Sequence, residues 1–141
     1  GGAAMADDPV RNKTERPSPH ALGRFGEKAA VAFLRTKRFR IVETGYRFQR
    51  GEIDIVAYDG PVLVFVEVKA RTSRAFGFPE EAVTAAKQRQ LRRIAQAYLV
   101  RHGIKGVPCR FDVVVVDGAV AIDDCGEDRA SPVLRHIVNA F

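Results

Sequence analysis

Two charged side chains, Glu67 and Lys69, interrupt a segment that otherwise has the composition of a buried strand. Their neighbours in residues 62–70 are all aliphatic or aromatic. An ionised group that is buried without a partner costs several kcal/mol, even after the protein relaxes around it. We therefore expect a compensating group close to these two side chains.

A β-hairpin is expected to place further acids beside this segment. Residues 51–58 (GEIDIVAY) read as the preceding strand, and the Asp59-Gly60 dipeptide after them is a strong hairpin signal. If these two residues form the loop, Tyr58 pairs with Pro61.

Counting back from that turn places Glu52 opposite Glu67 and Asp54 opposite Phe65. Because opposed residues share a face and side chains alternate along a strand, Glu52, Asp54, Glu67 and Lys69 would all project to one side. Diagonal neighbours lie about 7–8 Å apart at Cα, so two carboxylates could share one cation. A shift of one residue would move Asp54 to the other face, and the prediction is conditional on this register.

A divalent cation is the compensating group that best suits this set. Carboxylate oxygens, a backbone carbonyl and water are the ligands that Mg²⁺, Mn²⁺ and Ca²⁺ prefer. Lys69 would then lie beside the metal, near a phosphate or an attacking water. The alternative is that the four charges face solvent on an edge strand or form a satisfied ion-pair network. Taken together in a basic protein, they favour the metal site.

The hydrophobic pattern predicts one domain in the order α-β-β-β-α-β, with a mixed sheet packed against helices. Residues 1–20 are predicted to be a disordered tail, and the four residues before Met5 are typical of a cloning remnant. The predicted elements are a helix over 21–38, strands over 40–48, 51–58 and 62–70, a loop over 71–79, a helix over 80–101, a strand over 110–117 covered on both faces, a short return strand after Asp117-Gly118, and a closing helix over 133–141.

Arg24, Lys28 and Arg35 form a basic stripe on the first predicted helix, and one acid lies outside it. Glu27 falls on the side shared by Val31 and Leu34, at about 100° per residue. We therefore expect this carboxylate to be partly covered.

The charge distribution indicates a polyanionic partner. The net charge is +6, but residues 21–110 hold 18 Lys and Arg against 8 Asp and Glu, a net charge of +10. Nucleic acid is the commonest polyanion in a cell, although a solvated basic surface explains the charge on its own equally well.

The composition excludes several other classes of protein. No apolar run approaches the roughly 20 residues that a membrane helix needs. Cys109 and Cys125 stand far apart without a Cys or His at ligand spacing, which argues against zinc. An intracellular, cytoplasmic location is expected from this cysteine usage.

Two patterns resemble known families. Asp54, twelve intervening residues and then Glu67-Val68-Lys69 resemble the PD-(D/E)XK nuclease signature, with Ile53-Asp54 where some members have Pro-Asp. The segments GRFGEKAAVAFL, GEIDIVAYDG, LVFVEVKART and CRFDVVVV, in that order, resemble the YraN-like family of small bacterial proteins. The resemblance covers roughly residues 21–120. It implies a restriction-endonuclease-like domain over 21–141, with an α/β fold (an α+β mixed sheet) similar to that of archaeal Holliday junction resolvases.

The resemblance also implies a role for each residue that matches the motif. Asp54 and Glu67 would hold Mg²⁺ or Mn²⁺ together with the backbone carbonyl of Val68, and Lys69 would be the catalytic lysine. Glu27 would complete the metal site directly or through water. Glu52 matches a recurrent position of the family and is given a supporting role.

Basic side chains are expected to hold the phosphate backbone, which gives affinity and salt dependence but no sequence information. Asp112 is expected to pair with an arginine such as Arg71 or Arg110. Lys87 fits a phosphate contact and a solvated helix position equally well, and the three histidines are assigned no role. The candidate nucleic-acid contacts are Arg71, Arg74, Lys87, Arg89, Arg92 and Arg93.

These residues predict metal-dependent hydrolysis of DNA phosphodiester bonds, on branched or junction DNA by analogy with the resolvases. Whether Lys69 takes a proton from water or only orients it stays open. The alternatives are a nucleic-acid-binding module that keeps the fold without turnover, and an interaction protein with a structural ion network. Symmetric cutting of two strands would need two sites and so a homodimer, although no residue pattern demonstrates one.

Overall fold

A computed structural model of the protein describes residues 19–71, 83–118 and 132–141. Most of the predicted tail, the predicted return strand after residue 118 and Arg74 lie outside these ranges. The elements are α1 (Pro19–Thr36), β1 (Arg40–Phe48), β2 (Gly51–Asp59), β3 (Val62–Arg71), α2 (Ala85–Arg101), β4 (Cys109–Asp117) and β5 (Val133–Ile137).

The five strands form one mixed sheet in the order β1-β2-β3-β4-β5. Neighbouring strands are antiparallel except β3 and β4, which are parallel and are separated in the chain by α2. A parallel pair needs such a crossover connection, because the chain must return to the same end of the sheet. The predicted order is confirmed, and the α+β architecture is consistent with a restriction-endonuclease-like fold.

The two helices pack against separate apolar clusters of the sheet. The cluster under α2 includes Ile94 and Tyr98 with Phe65 of β3, whereas the cluster under α1 includes Leu34 with Val66. β4 contributes alternate valines to both clusters, which confirms that it is covered on both faces. Neither described helix is long and apolar enough to cross a membrane.

The predicted closing helix over 133–141 is wrong, because residues 133–137 form β5. This strand pairs with β4 in antiparallel register, from Val113 opposite Ile137 to Asp117 opposite Val133. The β-branched residues of this segment favour a strand, and its pairing satisfies the backbone groups along the open edge of β4.

α1 lies unusually close to β3 at one point. Gly26 is buried, and a Cβ at this position would lie only 2.6 Å from the Cβ of Ala70. Only a residue without a side chain allows this approach, which brings the next residue, Glu27, over the end of β3.

We expect Gly26→Ala to lower the free energy of unfolding by about 1–3 kcal/mol, because the added methyl group pushes α1 away from Ala70. Gly23→Ala is the matched control, since a Cβ there meets nothing within 4 Å. The control should be neutral or more stable by up to about 1 kcal/mol, from its better helix propensity. Urea denaturation measures both changes. Equal stability of the two variants would show that α1 is not held against β3 at this point.

Candidate metal site

The register of β2 and β3 differs from the one predicted from the sequence. Tyr58 pairs with Leu63 rather than Pro61, and Asp59 with Val62, so the loop is Gly60-Pro61. Gly60 supplies a φ of +61°. Proline has no N–H to donate to a strand partner, which suits it to the loop and not to the ladder.

The shift amounts to two residues along β3, which by itself would preserve which side chains share a face. Side chains do not alternate strictly along β2, however, because Ile53 lies in the cluster under α2 and Ile55 in the cluster under α1. The prediction that all four charged side chains project to one side is therefore wrong for Glu67, which contacts Lys87 of α2.

The paired residues of β2 and β3 end at Ile55 opposite Val66. One step further, Asp54 lies beside Glu67 instead of opposite Phe65. The predicted register is therefore wrong, but the two carboxylates still lie close enough for the charge of Glu67 to raise the pKa of Asp54.

The carboxylate of Asp54 takes over the role of a strand partner where the ladder ends. The backbone N–H of Val68 donates a hydrogen bond to Asp54 Oδ2 at 2.8 Å. Burial, followed by the neighbouring charge of Glu67, raises the pKa of Asp54 to about 7. Burial also raises the pKa of Glu67, although Lys87 and Lys69 partly offset this effect. Asp54 therefore gives up its proton only near neutral pH, well above the pH at which an exposed carboxyl group ionises.

Three carboxylates come together at this end of the sheet. One oxygen each from Glu27, Glu52 and Asp54 lies within 4.8 Å of the other two. Glu27 is partly buried, as predicted, and burial and then the charge of Glu52 raise its pKa. Such an arrangement of oxygen ligands fits a hard divalent cation, whose charge would offset the repulsion between the three carboxylates.

The three acids line an open cleft of about 550 Å³ between α1 and the ends of β2 and β3. Lys69 and the backbone of Val68 belong to its wall. Glu67 is not part of the lining; it is 7% exposed and lies 3.6 Å from Lys87 Nζ on α2. The structure therefore groups Glu52 directly with Glu27 and Asp54, and places Glu67 on the α2 side of Asp54.

Among the described residues, three arginines also belong to the wall of the cleft, namely Arg24, Arg47 and Arg71. Of these three, only Arg71 was predicted from the sequence as a nucleic-acid contact. Arg47 Nη1 lies 3.1 Å from Glu52 Oε1, and the two residues are paired across β1 and β2. Applying the hairpin register to β1 and β2 as well would have identified Arg47. The proximity of Arg24 depends on how α1 packs, which no local pattern reveals.

Arg71 is held in place by Asp117, its partner on the neighbouring strand β4. Its Nε donates to Asp117 Oδ1 at 2.7 Å, and Arg135 of β5 contacts the other oxygen of Asp117. Burial would raise the pKa of Asp117, but the hydrogen bonds from these two arginines lower it. Asp117 is therefore ionised and fixes the guanidinium of Arg71 at the mouth of the cleft.

The other basic candidates that the structure describes lie outside the cleft. Lys87 contacts Glu67, whereas Arg89, Arg92 and Arg93 are exposed on α2. The guanidinium of Arg92 lies over the rings of Phe111 and Phe141, at 5.3 and 5.5 Å from their centroids.

Asp112 pairs with Arg110, one of the two arginines predicted as its partner. This pairing is structural. Arg110 Nε donates to Asp112 Oδ1 at 2.9 Å. His136, to which spacing assigned no partner, lies with Nε2 2.8 Å from Asp112 Oδ2 and Nδ1 2.8 Å from Lys37 Nζ. Because lysine has only donors, Nδ1 accepts a hydrogen bond from Lys37. The proton is therefore on Nε2, which donates a hydrogen bond to Asp112.

Comparison with known proteins assigns the family. The family described as "Uncharacterised protein family UPF0102" matches residues 26–116. The chain belongs to this family. A UPF0102 protein of Symbiobacterium thermophilum is 56% identical over 96 residues, which cover 68% of this chain and 81% of the relative. One from Chlorobium phaeobacteroides is 46% identical over 87% of this chain and 95% of the relative, and one from Acetivibrio thermocellus is 42% identical over 94% and 97%. The YraN-like resemblance is thereby confirmed.

We expect Asp54→Asn to stabilise the protein in the absence of metal at pH 8. The raised pKa of Asp54, about 7, means that folded wild-type protein loses stability as pH rises from about 4 to 7. This loss is at most about 1.4 kcal/mol for each pH unit, and asparagine does not titrate. The amide oxygen still accepts from Val68. Thermal melting between pH 5 and 8 should show the advantage of the variant growing with pH.

At pH 8, adding Mn²⁺ should make the wild type more stable than Asp54→Asn. An ion bound only by the folded state raises Tm by several degrees at saturation, and it should do so in the wild type but not in Asp54→Asn. Glu43→Gln, which changes an acid of β1 outside the cleft, should respond to Mn²⁺ like the wild type. An equal Mn²⁺ shift in all three proteins would refute a metal site at Asp54.

Proposed function

We propose that the protein is a nuclease that hydrolyses DNA phosphodiester bonds with Mg²⁺ or Mn²⁺. The observation that carries this proposal is the cluster of Glu27, Glu52 and Asp54 in one cleft with Lys69, where the other charged residues that the structure describes are arginines. A site that only bound phosphate would not need three clustered carboxylates, which repel an anion. Carboxylates beside cationic side chains suit a reaction in which a metal and a phosphate meet.

The residues fit a metal by their chemistry. Glu27, Glu52 and Asp54 would hold it, with Glu67 and the Val68 carbonyl next to Asp54. When bound, the cation would supply Lewis-acid stabilisation of the negative charge that develops on the phosphate. The Val68 N–H keeps the carboxylate of Asp54 oriented, and Lys87 balances the charge of Glu67.

The cationic side chains of the chain bind and orient the substrate. Arg71, fixed by Asp117, and Arg24 at the start of the cleft bind phosphate oxygens. Lys69 donates hydrogen bonds to the scissile phosphate and stabilises its extra charge in the transition state. Hydrolysis adds the oxygen of one water to phosphorus and breaks one P–O bond, and the departing oxygen takes a proton.

The proposed activity is tested by incubating flap, junction, single-stranded and duplex DNA with Mg²⁺ or Mn²⁺. We expect Asp54→Asn and Lys69→Met each to slow cleavage by at least about a hundredfold, since each removes stabilisation of the transition state. Lys105→Met removes an exposed lysine outside the cleft and should cleave like the wild type. Binding of DNA without cleavage in either metal would contradict the enzyme and support the nucleic-acid-binding module instead.

We expect Asp117→Asn and Arg71→Gln both to weaken DNA binding, because both impair the contact between Arg71 and a phosphate. Each single variant should raise KM or the Kd for DNA, and the double variant should be no weaker than Arg71→Gln alone, because Asp117 acts through Arg71. Tm measured beside the Kd separates this effect from loss of the fold. Additive losses would show that Asp117 does not act by positioning Arg71.

A further inference from the structure

A second cleft, of about 430 Å³, lies between the β1–β2 turn and α2. This volume is within the range of pockets that take small organic ligands. No part of the proposed reaction uses it. Its described lining consists of Phe48, Gln49, Arg50, Gly51, Gln90, Arg93 and Ile94.

The shape of this cleft is fixed by a close approach of the turn to the helix. A Cβ on Gly51 would lie 2.6 Å from Ile94 Cδ1 and 2.9 Å from Gln90 Nε2. Gln49 has a φ of +57°, a left-handed conformation that costs energy for a residue other than glycine. The turn therefore holds a strained conformation against α2, and its polar side chains surround a preformed space.

The lining has the chemistry of a site for one nucleotide. Arg50 and Arg93 are both exposed, and none of the described lining residues is acidic. Two guanidinium groups suit a phosphate, the amides of Gln49 and Gln90 can both donate to and accept from the edge of a base, and Phe48 offers an apolar ring.

The second cleft is separated from the metal-site cleft only by the tip of the β1–β2 hairpin. Arg47 and Glu52, which pair across the hairpin, line the metal-site cleft, and the next pair, Phe48 and Gly51, lines the second. Successive residues of a strand point to opposite faces, so the two clefts open on opposite sides of the same hairpin. A nucleic acid that occupies both must turn around a two-residue loop.

We propose that the second cleft binds an unpaired nucleotide of a strand whose phosphodiester lies in the metal-site cleft, with the hairpin tip as a wedge between them. Duplex DNA is stiff over about 150 base pairs and cannot follow so tight a turn, whereas a single strand can. This inference rests on the proposed nuclease function and adds to it a substrate class: DNA with a single-stranded segment beside the cleaved bond.

The test compares two doubly substituted proteins that lose the same charge. Arg50→Ala/Arg93→Ala changes the second cleft, and Arg101→Ala/Lys105→Ala removes two exposed cations elsewhere. Fluorescence anisotropy measures binding of a single strand, a flap and a blunt duplex, with EDTA and again with Mn²⁺. The Mn²⁺-induced rise in Tm shows that the fold and the metal site of each variant are intact.

We expect the second-cleft variant to bind the single strand and the flap about tenfold more weakly than the control variant, and the duplex equally well. Equal losses in the two variants, or an equal loss for duplex and single strand, would overturn the nucleotide site while leaving nuclease activity standing. If the wild type neither binds nor cleaves any of these DNAs, the proposed function falls, and this inference falls with it.

Discussion

The contact between Asp54 and Glu67 is the constraint on which the rest of the structure depends. A buried carboxylate and a partly buried one that lie side by side repel each other unless one takes up a proton or a cation neutralises them. Two neighbouring elements partly compensate this negative charge, β3 through the Val68 N–H and α2 through Lys87. α1 instead adds a further acid, Glu27, which increases the negative charge. A fold that only needed stability would not place that acid here.

In two other buried acids of this protein, hydrogen bonds compensate the buried charge. Asp112 and Asp117 are as deeply buried as any residue of the core, yet hydrogen bonds hold their pKa values below the usual range despite burial. Each accepts from at least two side chains, which include Arg110 and Arg135. The contrast with the raised pKa values of Asp54 and Glu67 separates acids whose charge the fold compensates from acids whose charge it compensates only in part.

Sequence patterns predicted the proximity of the acids better than their pairing. Asp54 and Glu67 remained neighbours despite an incorrect register, because the shift moved Asp54 from a position diagonal to Glu67 to one beside it. The partial burial of Glu27 followed from its helical position. By contrast, the grouping of Glu52 with Glu27, and that of Arg71 with Asp117, depend on tertiary packing and on a parallel pairing across a long crossover. The strand β5 was missed because a short apolar segment without strict alternation is ambiguous between helix and strand.

The balance of charge in the metal-site cleft suggests why acids and bases are interleaved there. Arg24, Arg47, Lys69 and Arg71 line the cleft with three carboxylates, so the described part of the lining is nearly neutral when all are ionised. A divalent cation would make the same surface strongly positive without moving any side chain. A DNA phosphate and the metal would then each raise the affinity of the cleft for the other, since coupling between two ligands is reciprocal. The cluster of acids would thereby keep the cleft from attracting phosphate strongly until the ion needed for hydrolysis is bound.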